Sequence, residues 1–158
     1  MTAENLKTFI NDIANPAYFD LDPDSFYRLV QNRPVGELWL IDFYAEWCGP
    51  CKRLLPEIRQ LAKDTQGILK VGKVDCTKDI NVRFCKRRDI KYYPEIRLYP
   101  VRHSVEENPT FIEFSGHDTA PNLFFIFSEA NRLNGAHPTV WELRLQILHV
   151  QYSISGSP

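Results

Sequence analysis

The stretch Trp47-Cys48-Gly49-Pro50-Cys51 constrains this chain more than any other. It follows the apolar run Leu38 to Tyr44 and precedes Leu54, Leu55, Ile58, Leu61 and Ala62, which recur on one side of a helix. Two cysteines two residues apart, leaving a strand and entering a helix, read as a redox pair. Positions i and i+3 of a first helical turn share a face, so Cys48 and Cys51 can close a small ring. The unpaired N–H groups and the dipole at a helix N-terminus favour a thiolate at Cys48. Gly49 leaves the approach to Cys48 open, and Pro50 fits an early helical position, where its missing N–H costs little. A bare CxxC is also read as a chance pair or as half of a zinc site. The strand, the helix and Trp47 around this one favour redox chemistry.

At 158 residues the chain is long enough for one domain with a real core. A hydrophobic fraction of 44% with 13% aromatics marks it as globular. A net charge of -1 gives no reason to expect nucleic acid or an anionic membrane as partner. No apolar run reaches the ~18 residues that a membrane span needs. Met1 to Asn15 lacks the basic start and unbroken apolar core of a signal peptide. Taken alone, that favours the cytosol; it fits a piece of a longer secreted chain equally well.

Leu6, Phe9, Ile10 and Ile13 recur at helical spacing, which predicts a short helix over Glu4 to Ala14, ended by Asn15-Pro16. Ala17 to Leu21 reads as a strand. Asp22-Pro23-Asp24-Ser25 is a helix start, and Phe26, Leu29 and Val30 give that helix a buried face. Leu38 to Tyr44, broken only by Asp42, is too continuously apolar for a half-exposed strand and is expected at the centre of a sheet covered on both faces. Pro56 is expected to kink the helix after Cys51. Ile68 to Asp75 reads as a strand and Lys78 to Arg88 as a helix, a rhythm that gives parallel pairing. Glu95 to Tyr99 and Thr110 to Ser115 read as two antiparallel strands, and Pro121 to Arg132 as a closing helix. Val140 to Val150 alternates like a strand, and residues 153–158 look like a disordered end. The triplet Lys86-Arg87-Arg88 reads as a solvated helix end, and the histidines His103, His117, His137 and His149 as surface residues.

The segment from Ile41 to Lys52 resembles the active-site segment of thioredoxins and of the thioredoxin-like modules of protein disulfide isomerases. The resemblance runs from about Ala17 to Leu133. The segments Val71 to Cys76 and Tyr92 to Pro100 are most similar to a module of the endoplasmic-reticulum disulfide reductases that carry a J-domain and several thioredoxin modules. The resemblance implies an α/β thioredoxin fold, a mixed sheet with helices on both faces. It divides the chain into residues 1–15, a helix that fits the end of a preceding module, a thioredoxin domain over 16–133, and a tail over 134–158 that does not resemble the family.

The resemblance also assigns roles. Cys48 is the nucleophile and Cys51, one turn deeper and less exposed, the resolving cysteine. Asp42 matches a buried acid beneath the active site, and Lys73 the lysine beside it. Burial raises such a carboxyl toward neutrality and a charged Lys73 lowers it; the residue-level alternative is an Asp42 that reaches water. Pro94 matches a cis-proline against which substrate backbone pairs; without the resemblance it is an ordinary trans proline before a strand. Tyr93 stands where thioredoxins carry a small or β-branched residue, which implies an aromatic, crowded groove. Trp47 is expected to flank that groove, with plain packing as the alternative. Gly49 and Pro50 complete the substrate-facing loop. Cys76 and Cys85 are a poor second pair for zinc; as residues they read as two buried thiols, and the resemblance favours a structural disulfide. The arginine that isomerase modules carry after the fourth strand has Pro100 at its place here, with Arg102 nearby.

The expected function is thiol–disulfide exchange on disulfide-bonded or misfolded polypeptides. The Gly-Pro insert, in place of the isomerases' Gly-His, and Asp42, in place of their Glu, lean toward reduction. No cofactor or metal is expected beyond the Cys48–Cys51 disulfide itself. The implied partners are an upstream dithiol reductant, other modules of a longer chain, and an Hsp70-type chaperone reached through a J-domain outside this chain. The implied location is the endoplasmic-reticulum lumen, with the cytoplasm as alternative. Two other readings remain at this stage: a general cytosolic thioredoxin, and a non-catalytic module that binds unfolded chains.

Overall fold

The computed structural model describes residues 2–14, 18–65, 68–102, 104–106 and 110–115. The expected closing helix, the tail and all four histidines lie outside them. Five strands form one sheet in the order β1-β3-β2-β4-β5: β1 (Tyr18–Asp20), β2 (Leu38–Tyr44), β3 (Leu69–Asp75), β4 (Glu95–Tyr99) and β5 (Ile112–Ser115). β1 and β2 each pair parallel with β3, while β4 pairs antiparallel with both β2 and β5. The sheet is therefore mixed, as expected, with the continuously apolar β2 at its centre.

Alternation along β2 separates two cores. Trp39, Ile41 and Phe43 meet Phe26, Val30, Val74, Phe84, Cys85 and Tyr99 in one buried cluster. Phe26 is its hub, with ring centroids 5.0 Å from Phe84 and 5.7 Å from Tyr99. Two helical segments supply that layer. α2 (Pro23–Phe26) begins in a reciprocal cap, with Ser25 N–H donating to Asp22 Oδ1 at 2.8 Å and Asp22 N–H to Ser25 Oγ at 2.9 Å, and continues as a π-helical turn over Tyr27–Gln31. α4 (Asp79–Arg87) follows β3. Gly72 makes room on this face: a Cβ there would stand 2.5 Å from Leu21 Cδ1 and 3.1 Å from Ile41 Cδ1. The other face of the sheet receives α3 (Gly49–Asp64), whose Leu54, Ile58, Leu61 and Ala62 are buried.

Several expectations change in detail. Leu29 and Leu55 are half-buried, because each sits at the edge of its helix's buried stripe. Pro56 lies inside α3, as expected, and is exposed. α1 (Ala3–Ala14) forms where periodicity places it, yet Leu6 and Ile10 are exposed. Arg88 is not a solvated helix end. Its guanidinium lies 4.6, 5.1 and 5.3 Å from the ring centres of Phe26, Phe84 and Tyr27 and donates to Gln31 Oε1, closing the edge of the aromatic cluster.

Candidate active site

β2 ends at Tyr44, and a short turn closed by Cys48 N–H donating to Ala45 O at 3.0 Å leads into α3. Cys48 is the N-cap of α3, with extended backbone, and its sulfur accepts the N–H of Cys51 at 3.2 Å. That contact uses one of the donors a helix start leaves unpaired. Cys48 and Cys51 are joined as a disulfide, with Cα atoms 5.3 Å apart. The expected difference in exposure between them is not observed in this oxidised state. Cys48 is 4% exposed and Cys51 3%, because Ala45, Tyr44 and Tyr93 pack around both sulfurs. Gly49 and Pro50 are exposed beside them.

The loop before β4 closes the other side. The Tyr93–Pro94 peptide is cis, and the Tyr93 carbonyl oxygen lies 3.5 Å from Cys48 Sγ. Pro94 is buried, while Tyr93 is half-buried and meets Trp47 edge to face at 5.9 Å between centroids. Trp47 is 72% exposed and stands against Tyr93, so the two rings form an aromatic rim beside the disulfide, and Tyr92, next in the chain to Tyr93, is also exposed.

Asp42 lies two residues before Tyr44 on the α3 side of β2 and is buried, with Oδ1 lacking a hydrogen-bond partner among the described residues. Burial pushes its carboxyl up to about 7, against a downward pull from the Lys73 charge. Lys73 stands directly across from Asp42 in register, but its ammonium pairs with Asp20 Oδ1 at 3.5 Å. Tyr44, which packs on the disulfide, is itself pushed up to about 12, first by burial and then by Asp75.

Cys76 and Cys85 form a second disulfide, with Cα atoms 5.8 Å apart, linking the end of β3 to α4 inside the aromatic cluster. Arg102 is not at the site. It lies beyond the far end of β4, donating to Arg33 O at 3.3 Å and to Val105 O, with the whole strand between it and the cysteines. Among the described residues no cluster of His, Cys, Asp and Glu is suited to a metal ion.

Sequence reading missed a buried ion pair directly after Pro94. Arg97 donates from Nε to Glu95 Oε1 at 2.7 Å and from Nη2 to Arg88 O at 2.9 Å, while Lys91 N–H approaches Glu95 Oε2 at 3.4 Å. The signal was present: charges at i and i+2 of an apolar strand point to one face. Asp20 was also missed, since its contact with Lys73 depends on strand register.

A mixed sheet of this order, with a cysteine pair at the N-cap of α3 facing a cis-proline, defines the class of thioredoxin-fold dithiol proteins. The family model Thioredoxin matches residues 17–122, and the chain belongs to that family, a family of thiol–disulfide oxidoreductases that includes the protein disulfide isomerases. Among curated relatives, DnaJ homolog subfamily C member 10 of Xenopus laevis is 41% identical over 114 residues, 72% of this chain and 14% of the relative. The protein disulfide-isomerase A6 homolog of Drosophila melanogaster is 30% identical over 124 residues, 78% of this chain and 27% of the relative. The crystal structure of ERdj5 form I superposes with a TM-score of 0.66 at 35% identity, covering 77% of this chain and 16% of that one. This chain thus spans a small part of the relatives it matches.

Proposed function

We propose that this domain reduces disulfides of misfolded or disulfide-bonded polypeptides in the endoplasmic-reticulum lumen through Cys48 and Cys51. The observation that carries the reading is the pairing of the two sulfurs at the N-cap of α3, against the Tyr93 carbonyl. In the reduced domain the Cys48 thiolate attacks one sulfur of a substrate disulfide. The Cys48–substrate bond forms, the substrate S–S bond breaks, and the other substrate sulfur leaves as a thiolate. Cys51 then loses its proton to Asp42 and attacks Cys48 Sγ. The Cys48–Cys51 bond forms and the second substrate thiolate departs, so two electrons pass from dithiol to substrate. A buried carboxyl near neutrality suits that proton transfer. An upstream dithiol reductant resets the pair, and the sulfurs carry the electrons without an organic cofactor.

Substrate backbone pairs with the Tyr93–Pro94 loop as an added strand, and Trp47, Tyr92 and Tyr93 offer apolar ring faces to unfolded chain. Cys76–Cys85 is a structural staple, which favours an oxidising lumen. Similarity to ERdj5 supports that location, other modules alongside, and an Hsp70-type chaperone recruited through a J-domain outside this chain. The Gly-Pro insert, with no histidine to stabilise the thiolate, supports reduction.

Titration in glutathione buffers tests the reading, with each cysteine assigned by trapping and peptide mass. The expected result is a Cys48–Cys51 potential toward the thioredoxin end of the roughly −270 to −120 mV range, with Cys76–Cys85 closed throughout. A strongly oxidising first pair reverses the direction. Free thiols at Cys76 and Cys85 favour a general cytosolic thioredoxin. Substrate binding indifferent to Cys48→Ala favours a binding module.

A further inference from the structure

Asp20, Lys73 and Asp42 stand in one row across three strands. Asp20 is opposite Lys73 between β1 and β3, and Lys73 is opposite Asp42 between β3 and β2. Residues opposite one another in a sheet project to the same face. One ammonium therefore serves two carboxylates, and it leans outward. Lys73 Nζ lies 3.5 Å from Asp20 Oδ1 and 5.2 and 5.8 Å from the ring centres of Tyr18 and Tyr44, whereas no ion pair joins it to Asp42. The side chain of Asp20 is 62% exposed and that of Lys73 16%, while Asp42 is 1% exposed. A hydrated carboxylate and two ring faces hold the cation away from the buried acid. A carboxyl buried without an ion pair resists ionisation.

We infer that Asp20 is a positioning residue for the proton acceptor: by holding Lys73 at the outer end of the row it leaves Asp42 without an ion pair, and so governs the pH dependence of proton transfer from Cys51. The inference rests on the role proposed above for Asp42. Neutralising Asp20 acts twice in the same direction. Lys73 loses its outer partner and is free to turn to Asp42, and one negative charge leaves the row. Both changes favour ionised Asp42. The other groups facing this row are Tyr18 on β1 and Tyr44 on β2, both pushed up by burial and so neutral at pH 7. Glu46 and Asp75 act on Tyr44 from its flanks. α3 brings Glu57, on the helical face of Leu54 and Leu61, and Arg59, which acts on Tyr18. β4 brings the apolar Ile96 opposite Asp42. Asp20 is one of the charges that raise Tyr18 and Tyr44, so its loss eases both downward, while burial, the leading cause, still keeps them neutral at pH 7.

The test follows the Asp42 carboxyl by carbon-13 NMR, and in parallel the rate of insulin disulfide reduction, across pH in the full chain. In Asp20→Asn both midpoints fall by about 0.5 to 1 pH unit, and in Asp20→Glu both stay at the wild-type value. Lys73→Met raises the midpoint and shrinks the effect of Asp20→Asn to less than half. An unmoved midpoint in Asp20→Asn overturns the inference, and so does an equal shift in the Lys73→Met background, which would make charge count rather than lysine position the cause. If insulin is reduced while the Asn variant leaves the midpoint unmoved, the inference fails and the functional reading stands. If the wild-type domain does not reduce insulin while the carboxyl midpoint still falls, the functional reading fails and the control of Asp42 by Asp20 stands.

Discussion

Asp42→Asn should make the oxidised protein more stable at alkaline pH, by an amount the burial of this carboxyl fixes. In the folded protein burial pushes Asp42 from the ordinary 3.8 to about 7, with Lys73 pulling the other way. Below pH 3.8 the carboxyl is protonated in both the folded and unfolded chain, and it contributes no pH dependence. Between 3.8 and about 7 the unfolded chain releases the proton while the folded protein keeps it. Stability therefore falls as pH rises, by about 1.4 kcal/mol per pH unit. The interval spans about three pH units, so the loss is about 4 kcal/mol, complete above pH 7. Against a typical total of 5–15 kcal/mol, that is a large share. Asparagine has nearly the same shape and never ionises, so it escapes the loss. Urea denaturation at pH 3.5 should give the two proteins midpoints equivalent to within about 1 kcal/mol, since both bury a neutral polar group. At pH 8 the Asn variant should be more stable by about 3–4 kcal/mol. Glu95, also raised by burial, is common to both proteins and cancels in the difference. A difference that stays constant between pH 4 and pH 8, or a variant less stable at pH 8, would refute the reasoning. Either result would mean that the ionised carboxylate is well paired inside the fold.

Four other perturbations probe separate parts of the structure. Cys51→Ser should retain insulin chains as a covalent adduct on Cys48, seen on non-reducing gels and released by dithiothreitol, whereas Cys48→Ser should form none. Arg97→Leu leaves Glu95 buried without its cation and should cost about 3–5 kcal/mol in denaturant unfolding, most of it recovered by adding Glu95→Met. Gly72→Ala drives a methyl against Leu21 and Ile41 and should cost about 1–3 kcal/mol, part of which returns when Leu21 is shortened to Val. Cys76→Ala with Cys85→Ala opens a loop of sequence separation 9 and should lower stability by about 2–3 kcal/mol, while insulin reduction persists below the melting temperature.

Much of this architecture is legible in the chain because its signals are local. The continuous apolar run of β2, the Asp22–Ser25 cap and the Cys48–Cys51 spacing each act within a few residues of one another. Local periodicity also places α1, yet it does not say whether the apolar residues are covered, and Leu6 and Ile10 are exposed. What is not legible depends on register and on partners far along the chain. Lys73 stands between Asp20 and Asp42 only because β3 lies between β1 and β2. Arg88 meets an aromatic cluster whose Phe26 stands sixty-two positions earlier, and Arg102, near Pro100 in sequence, lies at the far end of β4 because that strand runs antiparallel to β2. The equal burial of Cys48 and Cys51 reflects Tyr93, forty-five residues beyond Cys48, closing over the disulfide.

The loop that carries Tyr93 is exposed along much of its length, yet its carbonyl must be held at one place beside Cys48. Its attachments show how. Cys76 N–H donates to Tyr44 O at 2.9 Å, which ties the end of β3 to the strand leading into the active site. The Cys76–Cys85 disulfide carries that connection to α4. The Cys85 carbonyl accepts the N–H groups of Arg88 and Ile90, and Asp89 takes a left-handed backbone with φ 57 to turn the chain out of the helix. Arg97 then grips the Arg88 carbonyl while its partner Glu95 receives Lys91 N–H, so the loop is tied at both ends to the strand that follows it. A functional group on a loop is positioned well only when its supports are rigid elements. Here every support is a strand, a helix end, a disulfide or a buried ion pair. The features outside the cysteine motif, the second disulfide and the Glu95–Arg97 pair, thus bear on the same atom: the carbonyl oxygen 3.5 Å from the Cys48 sulfur.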